Sequence, residues 1–161
     1  MTTKILVIDD DAAVTDLLSV LLRSQGFDVT ATNSSSDGLS YIRDNEPDLI
    51  VLDLMMPEID GWEVCRSVRA FSQVPIIVLS ALNDPSMVAS VLDAGADDYM
   101  TKPFSIEELL LKIDIFLRRT KYAMILKPGK PVSIGNYAFD YKNLSLTTDG
   151  YSETLTQKEA D

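Results

Sequence analysis

The chain has 161 residues, a formal net charge of −11, no histidine and one cysteine. This length suits one well-buried core of ordinary domain size plus a fragment of a second. The acidic balance argues against binding nucleic acid through the chain's own surface, and a single thiol without histidine excludes a zinc site and histidine-based catalysis.

The acidity belongs to the first part of the chain. Residues 1–120 carry 9 basic and 20 acidic side chains, whereas residues 121–161 carry 5 of each. The N-terminal segment has no long apolar region, and no stretch approaches the roughly 18 apolar residues of a membrane span. We therefore expect a cytoplasmic protein without a membrane segment.

Short apolar runs alternate with helical stretches, which predicts a doubly wound α/β fold with a five-stranded parallel sheet. Gly26 fits a stop of the first helix, serines 34–36 supply N-caps for the second, and Ser105 with Glu108 forms a capping box for the last. In chain order we predict a strand at 4–8, a helix around 14–22, a strand at 27–31, a helix at 34–45, a strand at 48–52, a helix at 61–70, a strand at 75–79, a helix at 84–94, a strand at 98–100 and a helix at 105–119.

Polar residues follow four of the predicted strands at the point where each apolar run ends. They are Asp9 and Asp10, Asp53, Ser80 and Lys102. Open parallel sheets bind ligands in the crevice beyond the carboxyl ends of their strands. Three clustered carboxylates repel one another, and a hard cation such as Mg²⁺ would hold them ionised. The pattern predicts a Mg²⁺ and phosphoryl-transfer pocket with Asp53 as nucleophile, in which Lys102 and Ser80 contact phosphoryl oxygens.

Residues 4–119 resemble a two-component response-regulator receiver domain. The resemblance rests on Asp9-Asp10-Asp11, on LDLMMPEIDG around Asp53, on Ser80-Ala81, on GADDY at 95–99 and on KPF at 102–104. It implies a flavodoxin-like sheet in the order 2-1-3-4-5, with phosphorylation of Asp53 by a sensor histidine kinase to switch a transcriptional-regulator output. It also implies a phosphoacceptor rather than an enzyme, with at most slow self-dephosphorylation.

The resemblance assigns roles around the pocket. Asp10 and Asp53 would bind Mg²⁺ directly, Met55 would contribute its backbone carbonyl, and Asp9 would bind through water.

A second group of residues would read and stabilise the phosphoryl group. Lys102 would pair with the phosphate, and a cis peptide bond would precede Pro103. Ser80 and Tyr99 would form the switch pair, with the hydroxyl moving toward the phosphoryl group and the aromatic ring turning inward.

The resemblance also implies two protein contacts. A symmetric dimer would form through the fourth helix, fifth strand and fifth helix, although Val88 stands where a basic partner is usual. We expect weak dimerisation assisted by phosphorylation. The histidine kinase would dock on the first helix around Leu17, Leu18 and Leu21. The candidate charges of the dimer interface are Asp97, Asp98, Glu108, Lys112 and Arg119.

We divide the chain into a receiver domain (1–120), a linker (121–132) and a short antiparallel β segment (133–161). The β segment resembles the opening sheet of the winged-helix output domain of OmpR/PhoB-type transcription factors, through its IG, the Asp149-Gly150 turn and LTQKEAD. It is incomplete, because a recognition helix is not among these residues, so DNA would be bound only through the complete output domain. An alternative is a C-terminal arm that packs on the receiver.

Two other functions fit parts of the sequence. Asp9 and Asp11 form a D-x-D motif after the first strand, as in haloacid-dehalogenase-like Mg²⁺-dependent phosphatases, in which the first aspartate is the nucleophile. That interpretation does not explain the motif around Asp53 or the KPF turn. The second alternative is a stand-alone receiver that acts by protein binding.

Overall fold

The computed structural model describes residues 2–123 and four short strands beyond them, at 132–134, 137–140, 145–148 and 151–154, and it describes side chains for residues 2–120. The chain divides into two compact units, residues 1–117 and 118–161. Within residues 2–123, no helix is long and apolar enough to cross a membrane.

The first unit is a parallel sheet whose five strands alternate with helices. The sheet order is β2-β1-β3-β4-β5, which confirms the predicted flavodoxin-like topology. Observed and predicted ends agree within about two residues, except that the last helix continues to Ala123, beyond the predicted end at Arg119. The elements are β1 (Lys4–Ile8), α1 (Ala12–Ser24), β2 (Asp28–Thr32), α2 (Ser35–Asn45), β3 (Leu49–Leu52), α3 (Gly61–Arg69), β4 (Ile76–Ser80), α4 (Pro85–Ala94), β5 (Asp98–Thr101) and α5 (Ile106–Ala123).

The core lies on both faces of this sheet. Along β1, Leu6 and Ile8 pack in the layer with α2, α3 and α4, whereas Ile5 and Val7 pack in the layer with α1 and α5. Strands covered on both faces need apolar side chains at every position, which explains the continuous apolar runs in the sequence. Because all five strands run the same way, their carboxyl ends form one polar edge.

The turn into α3 is built around a glycine. A Cβ at Gly61 would lie 2.7 Å from Leu54 Cα and 3.0 Å from the carbonyl oxygen of Asp53. The Gly61 N–H donates to the Leu54 carbonyl at 2.8 Å. The start of α3 is therefore held against the chain just past β3, at the polar edge.

Four of the helices begin with side-chain caps that satisfy their first N–H groups. The capping residues are Asp11 for α1, Ser34 for α2, Asp60 for α3 and Asp84 for α4. Hydrogen bonds from the hydroxyl and the backbone N–H of Ser86 hold the pKa of Asp84 below its usual value. The helix starts are thus defined by local sequence as well as by packing.

The second unit contains four strands, β6 (Val132–Ile134), β7 (Tyr137–Asp140), β8 (Ser145–Thr148) and β9 (Tyr151–Thr154). They pair antiparallel in the order β6-β7-β8-β9. This agrees with the predicted short antiparallel β segment. Most of the predicted linker, the Asp149-Gly150 turn and the LTQKEAD segment lie outside the described residues.

Candidate functional site

Three carboxylates meet at the polar edge of the sheet. Asp9 and Asp10 follow β1, and Asp53 follows β3; one oxygen from each lies within 4.8 Å of the others. They converge because β1 and β3 are parallel neighbours in which Ile8 is paired with Leu52. Asp9 and Asp53 are 3% and 6% exposed, whereas Asp10 is exposed.

Lys102 reaches into this cluster from the end of β5. Its Nζ donates to Asp9 Oδ2 at 2.7 Å and lies 3.9 Å from Asp53 Oδ1. The other oxygen of Asp9 accepts the Asp11 N–H at 2.9 Å. Asp9 is thus the better paired of the two buried carboxylates, and Asp53 is the one with spare capacity for a ligand.

The electrostatics of Asp53 reflect this difference. Burial raises the pKa of Asp53 from 3.8 to about 6, and repulsion from Asp9 adds to the effect. Lys102 and the backbone N–H of Met55 act in the opposite direction, and Asp10 raises the pKa slightly further. A buried carboxylate with a raised pKa is a common property of functional sites, because its ionised form gains most from a cation or a reaction partner.

The donor set at this edge is entirely oxygen. Carboxylates of Asp9, Asp10 and Asp53 match the preference of Mg²⁺ for hard oxygen ligands, and exposed Asp10 leaves one side open to water. Met55 follows in the loop after Asp53, with an exposed side chain and a backbone N–H bonded to the Asp53 carboxylate. The residues present therefore fit a magnesium ion.

Ser80 and Tyr99 both contact Leu82, in the loop between β4 and α4. The Ser80 hydroxyl is fully buried and accepts the Leu82 N–H at 3.3 Å. The ring of Tyr99 is half-buried and its hydroxyl donates to the Leu82 carbonyl. The two predicted switch residues are therefore linked through the backbone of one residue, Leu82.

The peptide bond between Lys102 and Pro103 is cis.

Three of the five candidate dimer charges form ion pairs within the protomer. The Asp97 carboxylate accepts from Arg69 Nη2 at 2.8 Å, and Lys112 Nζ donates to Asp98 Oδ2 at 2.7 Å. These bonds join α3 to the α4–β5 turn and β5 to α5. Two further candidates are exposed on α5, namely Glu108 and Arg119.

The prediction that Leu18 lies on a kinase-docking surface is wrong. Leu18 is fully buried in the core layer that α1 shares with α5. Leu18 and Leu22 lie one turn apart on the side of α1 that packs against the sheet. Leu17 and Val20 are instead 51% and 66% exposed. Of the three predicted residues, Leu17 is exposed and Leu21 is partly exposed, so Leu18 alone is removed from this surface.

Polar residues after β2 lie beside the site, although the sequence analysis gave Asn33 no role and serines 34–36 only a helix-capping role. Asn33 Nδ2 donates to the Asp9 carbonyl oxygen at 2.8 Å, and the next three serines bond to the loop that follows Asp53. The signal was available, because β2 is the neighbour of β1 and its carboxyl end lies at the same edge.

Comparison with known families gives a match to "Response regulator receiver domain" over residues 5–114. The matched range includes both Asp9 and Asp53, together with Ser80 and Lys102. It accounts for the motif around Asp53 and the KPF turn, which the phosphatase alternative leaves unexplained.

Similar proteins agree with this match. "DNA-binding response regulator MtrA" of Mycolicibacterium smegmatis is 39% identical over 161 residues, which cover 100% of this chain and 69% of that protein. "Transcriptional regulatory protein AfsQ1" of Streptomyces coelicolor is 40% identical over 156 residues, covering 97% of this chain and 68% of that protein.

Solved structures give the same result for the fold. The structure of the Francisella response regulator 1452 receiver domain has a TM-score of 0.71 and 37% identity, and the alignment covers 74% of this chain and 99% of that one. The chain belongs to the family of two-component response regulators, and its first unit is a receiver domain.

Proposed function

We propose that Asp53 is the residue at which this chain receives a phosphoryl group from a sensor histidine kinase. The observation that carries the proposal is a buried carboxylate at the end of β3 with two other carboxylates and a lysine beside it. An oxygen of Asp53 would attack the phosphorus, and the bond from phosphorus to the kinase imidazole nitrogen would break. The electron pair of that bond stays on the imidazole, and Asp53 becomes an acyl phosphate.

The acidic residues and the loop would hold Mg²⁺ for this transfer. In our proposal Asp10, Asp53 and the Met55 carbonyl are direct ligands, and Asp9 binds through water. Bound Mg²⁺ would neutralise charge on the transferring phosphoryl oxygens. The Lys102 bond to Asp9 orients that carboxylate within the buried part of the pocket.

Lys102 and Ser80 would then stabilise the phosphoaspartate. Lys102 Nζ, at 3.9 Å from Asp53 Oδ1, needs a small movement to bond a phosphoryl oxygen. If the Ser80 hydroxyl turns to the phosphoryl group, the Leu82 N–H loses its acceptor. Tyr99 bonds the carbonyl of the same Leu82, so the change at Asp53 would reach the β4–α4 loop and the surface of α4 and β5.

The output that we propose is control of transcription. MtrA and AfsQ1, by their names, are a DNA-binding response regulator and a transcriptional regulatory protein. The antiparallel strands β6–β9 support a winged-helix output domain that begins in residues 133–161, after a receiver at 1–120 and a linker at 121–132. DNA would be contacted through the complete output domain. The protein would act in the cytoplasm as a switch, with slow self-dephosphorylation as its only reaction.

A weak homodimer through α4, β5 and α5 completes the proposal. Because Asp97 and Asp98 bond to Arg69 and Lys112 inside the protomer, an ionic interface would require these bonds to be exchanged. We expect sedimentation velocity to show a dimer only when a phosphoryl mimic is bound. A protein that stays monomeric with the mimic would contradict this part of the proposal.

The decisive experiment is phosphorylation by acetyl phosphate with Mg²⁺, followed by intact mass. We expect an adduct of about 80 Da, the mass of one phosphoryl group, on the wild type and none on Asp53→Asn. Asp44→Asn is the matched control, because it makes the same substitution at an exposed position of α2. An adduct that persists in Asp53→Asn and disappears in Asp9→Asn would move the nucleophile to Asp9.

A further inference from the structure

One segment of the chain touches both halves of the acidic pocket. This segment, Asn33–Ser36, runs from the end of β2 into the first turn of α2 and is called the β2–α2 segment. Its side chains bond to the backbone of Asp9 on one side and to the loop after Asp53 on the other. The function proposed above gives no role to any residue of this segment.

On the first side, the backbone of Asp9 is held at both ends. Its N–H donates to the Thr32 carbonyl oxygen at 3.2 Å, and its carbonyl oxygen accepts from Asn33 Nδ2 at 2.8 Å. The same amide nitrogen lies 3.1 Å from the hydroxyl oxygen of buried Thr15 in α1. Asn33 therefore ties the end of β1 to both β2 and α1.

On the second side, three consecutive serines bond to two consecutive residues of the loop. Fully buried Ser35 donates to the Ile59 carbonyl oxygen at 2.7 Å. Ser34 and Ser36 donate to separate oxygens of the Glu58 carboxylate, at 2.8 Å and 3.1 Å.

The number of hydroxyl protons decides which of these oxygen atoms donate and which accept. A hydroxyl carries one proton. Since the protons of Ser34 and Ser36 are directed to Glu58, the 3.1 Å contact between the two hydroxyl oxygens is a consequence of that shared acceptor. The loop is thus attached to α2 at three points.

We propose that the β2–α2 segment and its partner Glu58, in the loop after Asp53, position the metal-binding residues. The positioning residues are Asn33, Ser35 and Glu58. The segment fixes the backbone of Asp9 relative to the loop that contains Met55. The inference rests on the proposed function, in which Asp9 and the Met55 carbonyl serve Mg²⁺. Mg²⁺ demands near-ideal octahedral geometry. A shift of the loop by about a few tenths of an ångström would therefore lower the affinity of the site for Mg²⁺. Groups that do not touch the metal but hydrogen-bond to its ligands have large effects on metal affinity for the same reason.

Mg²⁺ titration calorimetry on the complete chain tests this inference. We expect Ser35→Ala to raise the Mg²⁺ Kd about tenfold, and Glu58→Ala, on the exposed side of the loop, to raise it about fivefold. Ser24→Ala is the matched control, because the Ser24 hydroxyl also bonds a backbone carbonyl, that of Leu21 at 2.6 Å, but has no link to the pocket. Its Kd should equal that of the wild type.

A second readout separates positioning from a purely structural role. With acetyl phosphate, Ser35→Ala and Glu58→Ala should be phosphorylated slowly at low Mg²⁺ and at the wild-type rate when Mg²⁺ is saturating. A structural role would lower the melting temperature without this dependence on Mg²⁺. If Ser35→Ala fails to fold, Glu58→Ala decides the question, because its side chain is exposed.

The outcomes also separate this inference from the proposed function. If the wild type binds Mg²⁺ and both variants bind it equally well, the positioning role is overturned and the proposed function stands. If the wild type binds no Mg²⁺, the metal site itself is overturned, and the positioning role with it.

Discussion

Two neighbouring helices on the same face of the sheet are packed very differently. Of the nine residues of α3, four are buried, namely Gly61, Val64, Cys65 and Val68. Of the ten residues of α4, all within the described part of the chain, only Val91 is buried. Elements with few buried apolar contacts open or shift at low free-energy cost. The helix that begins beside the pocket, α3, is therefore firmly packed, whereas its neighbour α4 is weakly held.

Two hydrogen bonds from α3 side chains help to hold α4 and its C-terminal cap. Trp62 Nε1, at the start of α3, donates to the Ser90 hydroxyl at 3.0 Å. Arg69 Nε, at the end of α3, donates to the Gly95 carbonyl oxygen at 3.0 Å. Water can replace such bonds at exposed positions with a small net change in free energy. The position of α4 can therefore respond to a modest signal from the pocket.

The largest expected effect comes from Asp53, whose buried carboxylate destabilises the folded protein when it is ionised. The pKa of Asp53 is about 6 in the folded protein against 3.8 for an ordinary aspartate, so the folded state holds the proton more tightly. The contribution of Asp53 to stability should be greatest below about pH 4 and be lost as the pH rises through about 6. At pH 7 the cost is up to about 3 kcal/mol. Asp53→Asn should be more stable than the wild type by about that amount.

Urea unfolding in the presence of a chelator, between pH 4 and pH 7, measures this difference. The gap between Asp53→Asn and the wild type should close as the pH falls through 6 toward 4. Asp44→Asn, at an exposed position, should show no such gap. A gap that is the same at both ends of the range would show that ionisation of Asp53 is not its cause.

A matched pair of valines compares the two helices directly. Val64 of α3 is fully buried, and Val64→Ala removes two methyl groups and leaves a cavity, which should cost about 2–3 kcal/mol of unfolding free energy. Val88 of α4 is partly exposed, and Val88→Ala should cost less than about 1 kcal/mol. Denaturant unfolding of both variants gives the values. Equal costs would contradict the view that α4 is weakly held.

The smallest expected effect is loss of the bond between α3 and α4. Trp62→Phe keeps an aromatic ring but removes the N–H, which should cost about 0.5–1 kcal/mol. Ser90→Ala should cost a similar amount, and the double variant should cost little more than either alone, because both remove the same bond. Amide exchange should become faster in α4 and stay unchanged in α3. Additive costs would mean that the two side chains are not coupled.

Much of the fold could be predicted from the sequence because local signals agree with the global topology. The strands are apolar runs buried on both faces, and caps such as Ser34 and Asp84 mark helix starts. The end of α5 could not be predicted, because no glycine or proline follows Arg119 until Pro128. Periodicity also grouped Leu17 with Leu18, but it does not show which face of a helix meets the sheet.

The residues of the pocket could be predicted from the sequence, whereas the hydrogen bonds that hold its loops could not. Asp9, Asp53 and Lys102 converge because carboxyl ends of parallel strands share one edge, which the order of strands already implies. The bonds from Ser34 and Ser36 to Glu58 depend on the path of two loops. Loop paths follow from tertiary packing, and serine and glutamate occur at exposed positions for many reasons. The strand order places these serines at the polar edge, but the sequence does not show which residue of the other loop they contact.

The bond between Trp62 and Ser90 has a practical consequence, because Trp62 is the only tryptophan in the sequence. Its indole lies where the chain leaving the pocket meets α4. Tryptophan emission from the unmodified protein therefore comes from one position, where the well-packed α3 meets the weakly held α4. Rearrangement of α4 can be timed by stopped-flow fluorescence without attaching a dye, in the same sample that is used to follow phosphorylation.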